Sequence, residues 1–296
     1  MTFFGIKNNS TSDDPKFIIR QESFTNVLKK NQINQVVILK EINPLPNYAF
    51  YITKPLLYNH FDVLHGILFN ENIEDGSLIT NRHPIKILSL NQPCSLKIYT
   101  IFKELNGQRK KLHVLEAGGP CQNWSIKNYR LGIGLEATLA EEISTYATYG
   151  YNKFTIQKDS GSLMNIHYTY QVDAFDDIGN PAEIKALKYP KHCNGIDLPH
   201  DFSFRTAVQC KLGRVKKIIV GFNEYPVKNK LLIKEYKISE ICVGKVKTDV
   251  DVALAKMKLN LVKLMDVYEK QCDEKAIKIE KVPLSEKQDR FIIEFL

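Results

Sequence analysis

One segment, residues 166–188, constrains the fold of this chain more than any other, because it has the pattern of a β-hairpin. Polar and apolar residues alternate from His167 to Ala174, the period of two that is typical of a half-buried strand. The polar turn DDIGN follows, in which Gly179 can adopt a positive φ. The chain then returns as AEIKALK. The sequence therefore predicts two antiparallel strands that carry charged side chains on one face.

The register of this hairpin brings two carboxylates together. A turn centred near Ile178 places Asp173 opposite Glu183, and it places Gln171 opposite Lys185. Opposed side chains lie roughly 5 Å apart at Cβ, so two carboxylates can share one divalent cation while a lysine beside them meets a phosphate. This arrangement is typical of a phosphodiesterase. The structural alternative is a solvated hairpin face, and the hairpin by itself favours that alternative.

Length and composition indicate one domain. A chain of 296 residues with 44% hydrophobic content can bury one large core or two small ones. No repeat and no linker rich in Pro, Gly or Ser divides it, so we predict a mobile polar start over residues 1–15 and a single domain over residues 16–296. The N-terminus lacks the apolar stretch of a signal peptide, and the longest apolar runs are too short to cross a bilayer. We therefore expect no membrane association.

Charge and cysteine usage narrow the expected partners. The formal net charge is +8, which favours polyanionic partners, although a surface of solvated lysines is the common alternative. The six cysteines contain no C-x-x-C pair, which indicates reduced thiols in the nucleus or cytoplasm. The spacing of His192, Cys193 and His200 suits no common zinc site.

The remaining periodicities predict a mixed α/β (α+β) fold with largely antiparallel sheets flanked by helices. Alternation predicts strands at 35–42, 47–54, 95–105, 110–117, 215–222 and 230–238, and helical spacing predicts helices at 56–70, 135–148, 202–212 and 248–270. Asn106-Gly107 is a turn signal between two of the strands. Glu136 is expected at the start of its helix, and Thr248 with Asp251 forms a predicted capping box.

Several motifs along the chain, taken in order, resemble those of the DXO family of RNA 5′-end decapping nucleases. The matching residues are Arg82 after an apolar segment, Glu136 at the end of GIGLE, Asp173 in QVD, Glu183 and Lys185 in EIK, and Gln209 ahead of IIVGF. That family belongs to the wider PD-(D/E)XK group of nucleases, which are built on a hairpin with Asp and Glu-x-Lys. The resemblance spans roughly residues 20–270, and it implies that the predicted hairpin is of this nuclease type.

The resemblance implies a metal site. Glu136, Asp173 and Glu183 would be ligands of Mg²⁺ or Mn²⁺, and the Ile184 carbonyl would join them. Such a cation lowers the pKa of a bound water and neutralises charge on the phosphate that is attacked.

The same resemblance implies the roles of three further residues and the reaction. Lys185 would stabilise the developing charge or orient the water, while Arg82 and Gln209 would hold phosphate oxygens or the water. The implied activity is a metal-dependent hydrolase in mRNA turnover that removes incomplete or NAD-type caps from RNA 5′ ends and degrades the RNA 5′ to 3′. Some relatives pair with a larger 5′ to 3′ exonuclease, which is the implied protein partner.

One position departs from the family pattern. The family's Glu-apolar-Asp motif is Gln171-Val172-Asp173 in this chain. An amide carries no charge and cannot act as a general base, and loss of a general base costs about 10²- to 10⁴-fold in rate. The alternative prediction is therefore a catalytically weakened paralogue that binds RNA 5′ ends or a protein partner.

Single members of the set also have ordinary structural explanations. Glu136 by itself suits a helix N-terminus, where a carboxylate stabilises the helix dipole. Gln209 suits a surface amide, Arg82 a surface or ion-paired charge, and His167 a hydrogen-bonded histidine within a sheet. The nuclease interpretation depends on these residues occurring together.

Overall fold

The computed structural model describes residues 3–7, 17–18, 28–29, 32–38, 73–105, 107–117, 126–139, 146–188, 198–223, 230–271, 276–285 and 288–296. The strands are β1 Phe3–Lys7, β2 Phe17–Ile18, β3 Val36–Ile38, β4 Leu78–Asn81, β5 Cys94–Leu105, β6 Gln108–Ala117, β7 Tyr146–Gln157, β8 Leu163–Val172, β9 Ala174–Phe175, β10 Pro181–Lys188, β11 Lys217–Asn223, β12 Lys230–Lys237, β13 Ile277–Pro283 and β14 Asp289–Phe295. The helices are α1 Arg82–Ser89, α2 Ile126–Leu139, α3 His200–Gly213, α4 Ile238–Ile241 and α5 Gly244–Gln271.

These strands form two sheets. The nine-stranded sheet has the order β14-β13-β5-β6-β4-β8-β7-β1-β2, and the five-stranded sheet has the order β3-β12-β11-β10-β9. Strand β4 is parallel to β6 and β8, and β10 is parallel to β11, while the other pairs are antiparallel. The largest buried cluster joins residues of both sheets with residues of α1, α3 and α5. The predicted α+β class with largely antiparallel sheets and flanking helices is confirmed.

The predicted hairpin connects the two sheets. Ala182 lies opposite Ala174 in the β9–β10 pair, and Gly179 in the turn has a φ of 78°. This is the register in which Asp173 faces Glu183, as predicted. The predicted pairing of Gln171 with Lys185 is wrong, because β8 stays in the nine-stranded sheet, where Gln171 lies opposite Tyr149. The chain changes sheets at Asp173, so the two strands separate there.

The alternation predicted a half-buried strand at β8, but both faces of β8 are buried. Tyr168 and Tyr170 pack in the main core on one face, and His167 and Thr169 on the other face are also buried. The reason is its position between β4 and β7 in the interior of the sheet, with side chains packed against both faces. Gln171 is exposed near its end.

Several other predicted elements are confirmed within the described residues. Strands β5 and β6 form the predicted hairpin, with Gly107 at a φ of 73° in its turn. Helix α3 and strands β11 and β12 lie at the predicted places, and β3 covers part of the predicted strand 35–42. The predicted strand 47–54 and helix 56–70 lie outside the described residues. So do residues 8–15 of the predicted mobile start, whereas Phe3–Lys7 form β1 and pair with β7.

Two helices, α2 and α5, have boundaries that differ from prediction. Helix α2 begins at Ile126, so Glu136 lies about three turns into the helix rather than at its tip. The predicted helical stretch to residue 148 is wrong at its end, because strand β7 begins at Tyr146. Helix α5 begins at Gly244, and the Thr248 hydroxyl donates to the Gly244 carbonyl inside the helix. Thr248 is therefore not an N-cap, and the predicted capping box is wrong.

A buried cluster of charged and polar residues, which we call the Asp289 cluster, lies where β13 and β14 meet α5. Its members are Lys256, Asn260, Lys281 and Asp289. Lys256 Nζ lies 2.8 Å from Asp289 Oδ1, and Lys281 Nζ lies 3.6 Å from Asp289 Oδ2. The Asn260 amide donates to Asp289 Oδ2 at 2.7 Å. All three charged side chains are at most 2% exposed, so one carboxylate compensates two lysines away from water.

The same cluster holds the end of α1. Lys281 Nζ donates to the carbonyls of Ile87 and Leu90 at 2.8 and 2.6 Å, and the Asn260 amide donates to the Leu88 carbonyl at 2.9 Å. The last carbonyls of a helix have no partner within the helix. These donors satisfy them, and they fix the position of α1 against β13 and α5. In the part of the chain that the structure describes, no helix has the length and hydropathy needed to cross a membrane.

Candidate active site

Helix α1 brings two cationic side chains to the site. Asn81 caps the helix, because its side-chain oxygen accepts from the His83 N–H at 2.9 Å. Arg82 is then the first helical residue, and Lys86 follows four positions later on the same face. The cap thus sets where the helix starts, and with it the direction in which both cations project.

Strand β10 supplies the acidic centre of the site. Glu183 is buried, at 1% exposure, and Lys185 lies two residues later on the same side of the strand. Lys185 Nζ donates to Glu183 Oε1. Asp173, at the change of sheet, accepts from the Ile184 N–H at 2.9 Å. Adjacent strands therefore hold both carboxylates at one place, as the hairpin register had predicted.

The Glu183 carboxylate is the point at which three elements meet. Arg82 Nη1 from α1 lies 3.1 Å from Glu183 Oε2, Lys185 comes from β10, and Gln209 from α3 donates its Nε2 to Glu183 Oε1. The other end of the Gln209 amide accepts from Lys86 Nζ at 2.9 Å. Three donors on one carboxylate and a lysine behind them make a connected polar network. We call it the Glu183 cluster, with these members: Arg82, Lys86, Glu136, Asp173, Glu183, Lys185 and Gln209.

Two small residues leave space for the arginine. The Arg82 guanidinium carbon lies 5.8 Å from the centre of the Tyr170 ring, a cation–π distance. A Cβ placed on Gly213 would lie 2.9 Å from Arg82 Nη1, and one placed on Gly150 would overlap the Tyr170 ring. Glycine at both positions therefore allows this arginine and this tyrosine to occupy their places.

The three carboxylates of the cluster differ in electrostatics. Burial raises the pKa of Glu183, but the charges of Arg82 and Lys185 outweigh burial and lower it to about 2. Burial, and then the charge of Glu183, raises the pKa of Asp173 to about 7. Burial, and then the charge of Asp173, raises the pKa of Glu136 to about 8. Glu136 is thus near enough to the hairpin carboxylates to be repelled by them, and the folded protein resists ionising two of its three acids.

Burial and neighbouring charges also shift the pKa values of the cationic residues of the cluster. Burial, and the positive charges of Lys185 and Arg82, lower the pKa of Lys86 to about 8. Burial lowers the pKa of Arg82 and of Lys185, but the Glu183 and Asp173 carboxylates reverse this and raise both. Clustered perturbed groups of this kind are typical of functional sites.

The donor chemistry of the cluster fits a divalent cation. Hard cations such as Mg²⁺ prefer carboxylate and carbonyl oxygens, and a positive charge beside Glu136 and Asp173 would offset the repulsion that raises their pKa values. In the conformation described, no group of three or more His, Cys, Asp or Glu side chains among the described residues is arranged to hold a metal ion. Glu183 is instead bonded to Arg82, Lys185 and Gln209.

The structure brings most of the predicted site residues together. Hydrogen bonds join Arg82, Lys185 and Gln209 to Glu183. Asp173 contacts the N–H of Ile184, and Glu136 is linked to them through its charge. Gln171 is exposed, and it pairs with Tyr149 in the nine-stranded sheet and not with Lys185. The individual roles of all these residues, including the metal ligands and the Ile184 carbonyl, stay predictions.

Two residues of the site were not predicted from the sequence. Lys86 contacts Gln209, and Tyr170 contacts Arg82. The spacing of Arg82 and Lys86, four apart in a helix that starts after an Asn cap, was a usable signal for the first. Tyr170 belongs to an alternating strand in which an aromatic residue is ordinarily core, so its sequence context gave no sign of the arginine.

Comparison with known proteins identifies the fold. The sequence matches no protein-family model and no curated protein. Among solved structures, K. lactis Dxo1 in complex with manganese has a TM-score of 0.61 and 16% identity, over 99% of this chain and 88% of that chain. S. pombe Rai1 in complex with 3′-FADP has a TM-score of 0.63 and 12% identity, over 100% and 92%. Candida albicans Rai1 in complex with pU5-Mn²⁺ has a TM-score of 0.57 and 14% identity, over 100% and 88%. The chain therefore has the fold of the Dxo1 and Rai1 structures, in agreement with the resemblance of its motifs.

Proposed function

We propose that this chain, which has the Dxo1 and Rai1 fold, is a metal-dependent hydrolase that acts on RNA 5′ ends. Its substrates are RNAs with incomplete or NAD-type caps, and after cap removal it degrades the RNA 5′ to 3′. One observation carries the proposal: the buried Glu183 carboxylate is surrounded by Arg82, Lys185 and Gln209, residues that had been matched to the family's motifs. Solved structures of this fold contain manganese, a dinucleotide or a 5′-phosphorylated oligonucleotide, which supports the choice of substrate.

In this proposal Glu136, Asp173 and Glu183 hold Mg²⁺ or Mn²⁺ together with the Ile184 carbonyl. When bound, the cation supplies an acidified water and neutralises charge on the phosphate. The raised pKa values of Glu136 and Asp173 mean that these two acids gain most from a nearby positive charge. The first two turns of α1 and the β10 strand then surround one acidic centre.

The cations of the cluster bind and orient the phosphate. Arg82 has a planar guanidinium that suits two phosphate oxygens, and its partner in the structure is the Glu183 carboxylate. The Lys185 side chain is 29% exposed, and its ammonium group donates to Glu183 Oε1 at the acidic centre. Gln209 is held by Lys86 with its amide N–H groups directed at the acidic centre. These residues position the 5′ phosphate for attack.

A direct test measures Mn²⁺-dependent release of the 5′ nucleotide from NAD-capped RNA and of mononucleotides from 5′-monophosphate RNA. The isosteric Glu183→Gln variant should lose at least about 10²-fold in rate, whereas Glu104→Gln, on an exposed part of β5, should keep it. Calorimetric titration with Mn²⁺ provides a readout that does not require activity. Wild-type protein that neither binds Mn²⁺ nor releases nucleotide would contradict the enzyme proposal.

A second candidate function is a weakened relative that binds RNA 5′ ends or a protein partner without efficient cleavage. Gln171 favours it, because this exposed amide stands where the family pattern has a carboxylate. If the missing carboxylate limits the rate, Gln171→Glu should increase Mn²⁺-dependent cleavage. If wild type and Asp173→Ala are equally inactive while both bind 5′-phosphorylated RNA, the binding function is the correct one. Competition with single-stranded DNA of the same sequence separates an RNA enzyme from a DNA nuclease.

Two further proposals concern the cellular setting. We propose that the protein works in the nucleus or cytoplasm, in line with the three cysteines among the described residues, Cys94, Cys210 and Cys242, which are free thiols. We also propose a larger 5′ to 3′ exonuclease as its protein partner. Co-purification of a tagged chain, with and without nuclease treatment to remove bridging RNA, tests the partner.

A further inference from the structure

One edge of the nine-stranded sheet is strand β14, which exposes apolar side chains between charged ones. Strand β14 pairs with β13, and no described strand lies on its other side. Its exposed residues include Ile292 at 50% exposure and Phe295 at 56%. An exposed edge strand is a template for pairing with another strand, and proteins usually protect it with lysine, proline or a bulge. The β14 sequence DRFIIEF contains neither lysine nor proline.

The exposed face of β14 carries an alternating set of side chains. Arg290, Ile292 and Glu294 are exposed and share one face, while Phe291 and Ile293 point to the other face and pack against the main core. The three exposed residues are spaced evenly, with a cation and an anion at equal distances from a central isoleucine. A strand with this pattern is complementary to itself when reversed.

The backbone of β14 also leaves hydrogen-bonding groups available for a second strand. The Leu296 N–H donates to the Ala276 carbonyl at 3.0 Å, so the even-numbered residues of the strand direct their backbone groups at β13. The odd-numbered residues Phe291, Ile293 and Phe295 therefore direct their N–H and C=O groups away from the sheet. Those are the groups that an additional strand would bond.

We propose that β14 pairs with β14 of a second copy of this chain, antiparallel and centred on Ile292. In this register Phe291 lies opposite the partner's Ile293, so the outward backbone groups of both strands bond each other. Arg290 lies opposite the partner's Glu294, and Glu294 opposite the partner's Arg290. Opposite charges in such cross-strand pairs stabilise a sheet and like charges destabilise it. The interface is the same patch on both copies, as a two-fold dimer requires.

Charge reversal tests this register. Arg290→Glu places acidic residues opposite each other twice across the two-fold axis, and Glu294→Arg places basic residues opposite each other twice. Each single variant should weaken the dimer by roughly tenfold or more. The double variant Arg290→Glu/Glu294→Arg restores both pairs and should dimerise more strongly than either single variant, although position 294 also loses its ion pair with Lys278. A mixture of the two single variants should form the heterodimer in preference to either homodimer. Sedimentation velocity over a range of concentrations of the 296-residue chain measures all four.

Two controls make the result specific to this edge. Lys247→Glu makes the same charge change at an exposed position of α5 and should leave the dimer unchanged. Ile292→Lys places two lysines face to face at the axis and should abolish the dimer without affecting the fold, which circular dichroism checks. A wild-type chain that stays monomeric at every concentration overturns the proposal. A dimer that survives Arg290→Glu and Ile292→Lys also overturns it, because the contact then lies elsewhere.

Discussion

The molecule contains two buried clusters of charge, and they differ in how their charges are balanced. In the Asp289 cluster one carboxylate compensates two lysines, and both lysines also donate to backbone carbonyls. In the Glu183 cluster three carboxylates lie together, and one of their cationic partners, Lys185, is 29% exposed. The Asp289 cluster is closed to solvent and holds the end of α1 in place. The Glu183 cluster is partly exposed, and its own residues do not fully stabilise the ionised forms of its carboxylates.

The difference separates a structural cluster from a site prepared for a ligand. Burial of an ion pair stabilises a fold only when the remaining polar groups are satisfied, and the Asp289 cluster meets that condition through backbone carbonyls. In the Glu183 cluster the pKa values of Glu136 and Asp173 are raised to about 8 and 7, so ionising them costs the folded state free energy. Strain of this electrostatic kind is common where a ligand is expected to relieve it.

The largest effect is expected from breaking the Asp289 cluster. Asp289→Asn keeps the shape of the side chain but leaves Lys256 and Lys281 buried without a counter-charge, so the free energy of unfolding should fall by about 3–5 kcal/mol. Urea denaturation measures it. The matched change Asp249→Asn, in a surface pair with Lys245, should cost less than about 1 kcal/mol. Equal losses in the two variants would show that the Asp289 cluster does not have the role assigned to it.

In the Glu183 cluster, removing a carboxylate is expected to raise the free energy of unfolding, not to lower it. The folded state raises the pKa of Glu136 from its usual 4.5 to about 8, so the folded protein binds this proton more tightly than the unfolded chain does. Stability is therefore lost as the pH rises from about 4.5 to about 8. Glu136→Gln removes this loss, and without metal at pH 8 its free energy of unfolding should exceed that of the wild type by on the order of 1 kcal/mol.

Adding a divalent metal ion provides a control for the prediction about Glu136→Gln. Because a cation bound near Glu136 stabilises the ionised form, saturating Mn²⁺ should stabilise the wild type more than Glu136→Gln and reduce or reverse the difference. A variant that is less stable than the wild type at pH 8 in chelator would mean that the Glu136 carboxyl is not repelled as described.

A smaller effect is expected from the space around Arg82. Two helical glycines differ in their surroundings: a Cβ on Gly213 would lie 2.9 Å from Arg82 Nη1, whereas a Cβ on Gly132 would meet nothing within 4 Å. Gly132→Ala should raise the free energy of unfolding by about 0.5–1 kcal/mol through helix propensity. Gly213→Ala should forgo that gain and lower the rate of RNA cleavage, because the guanidinium must move. If both variants cleave RNA like the wild type, the position of Arg82 is not critical.

The smallest effect on stability is expected at Lys86. Its burial and its positive neighbours lower its pKa to about 8, so this charge costs the folded state free energy, which offsets the hydrogen bond of Lys86 to Gln209. Lys86→Met should change the free energy of unfolding by no more than about 0.5 kcal/mol, and it should weaken binding of 5′-phosphorylated RNA several-fold in fluorescence anisotropy. A variant that binds RNA as tightly as the wild type would place Lys86 outside the substrate site.

Local patterns in the sequence were sufficient for the hairpin and its register. The glycine in DDIGN and the alternation on either side of it act over a few residues, so Asp173 and Glu183 were correctly placed opposite each other. The predicted pairing failed at Gln171, because β8 pairs with the distant strands β4 and β7 and the chain enters the other sheet only after Val172. No local pattern records which sheet a strand joins.

The same limit applies to the elements around the hairpin. The start of α2 at Ile126 was missed, so Glu136 was expected at a helix tip. The Asp289 cluster was not predicted at all. Lys281 and Asp289 read as ordinary surface charges of an edge hairpin, and only the packing of α1 and α5 buries them.

Helix α1 links the two clusters, since its first residues contact Glu183 and its last carbonyls are held by Lys281 and Asn260. With eight residues it is about 12 Å long, too short to bend between its ends. A genetic screen for lost activity should therefore recover temperature-sensitive alleles at Asn260, Lys281 and Asp289, which are buried and lie outside the Glu183 cluster.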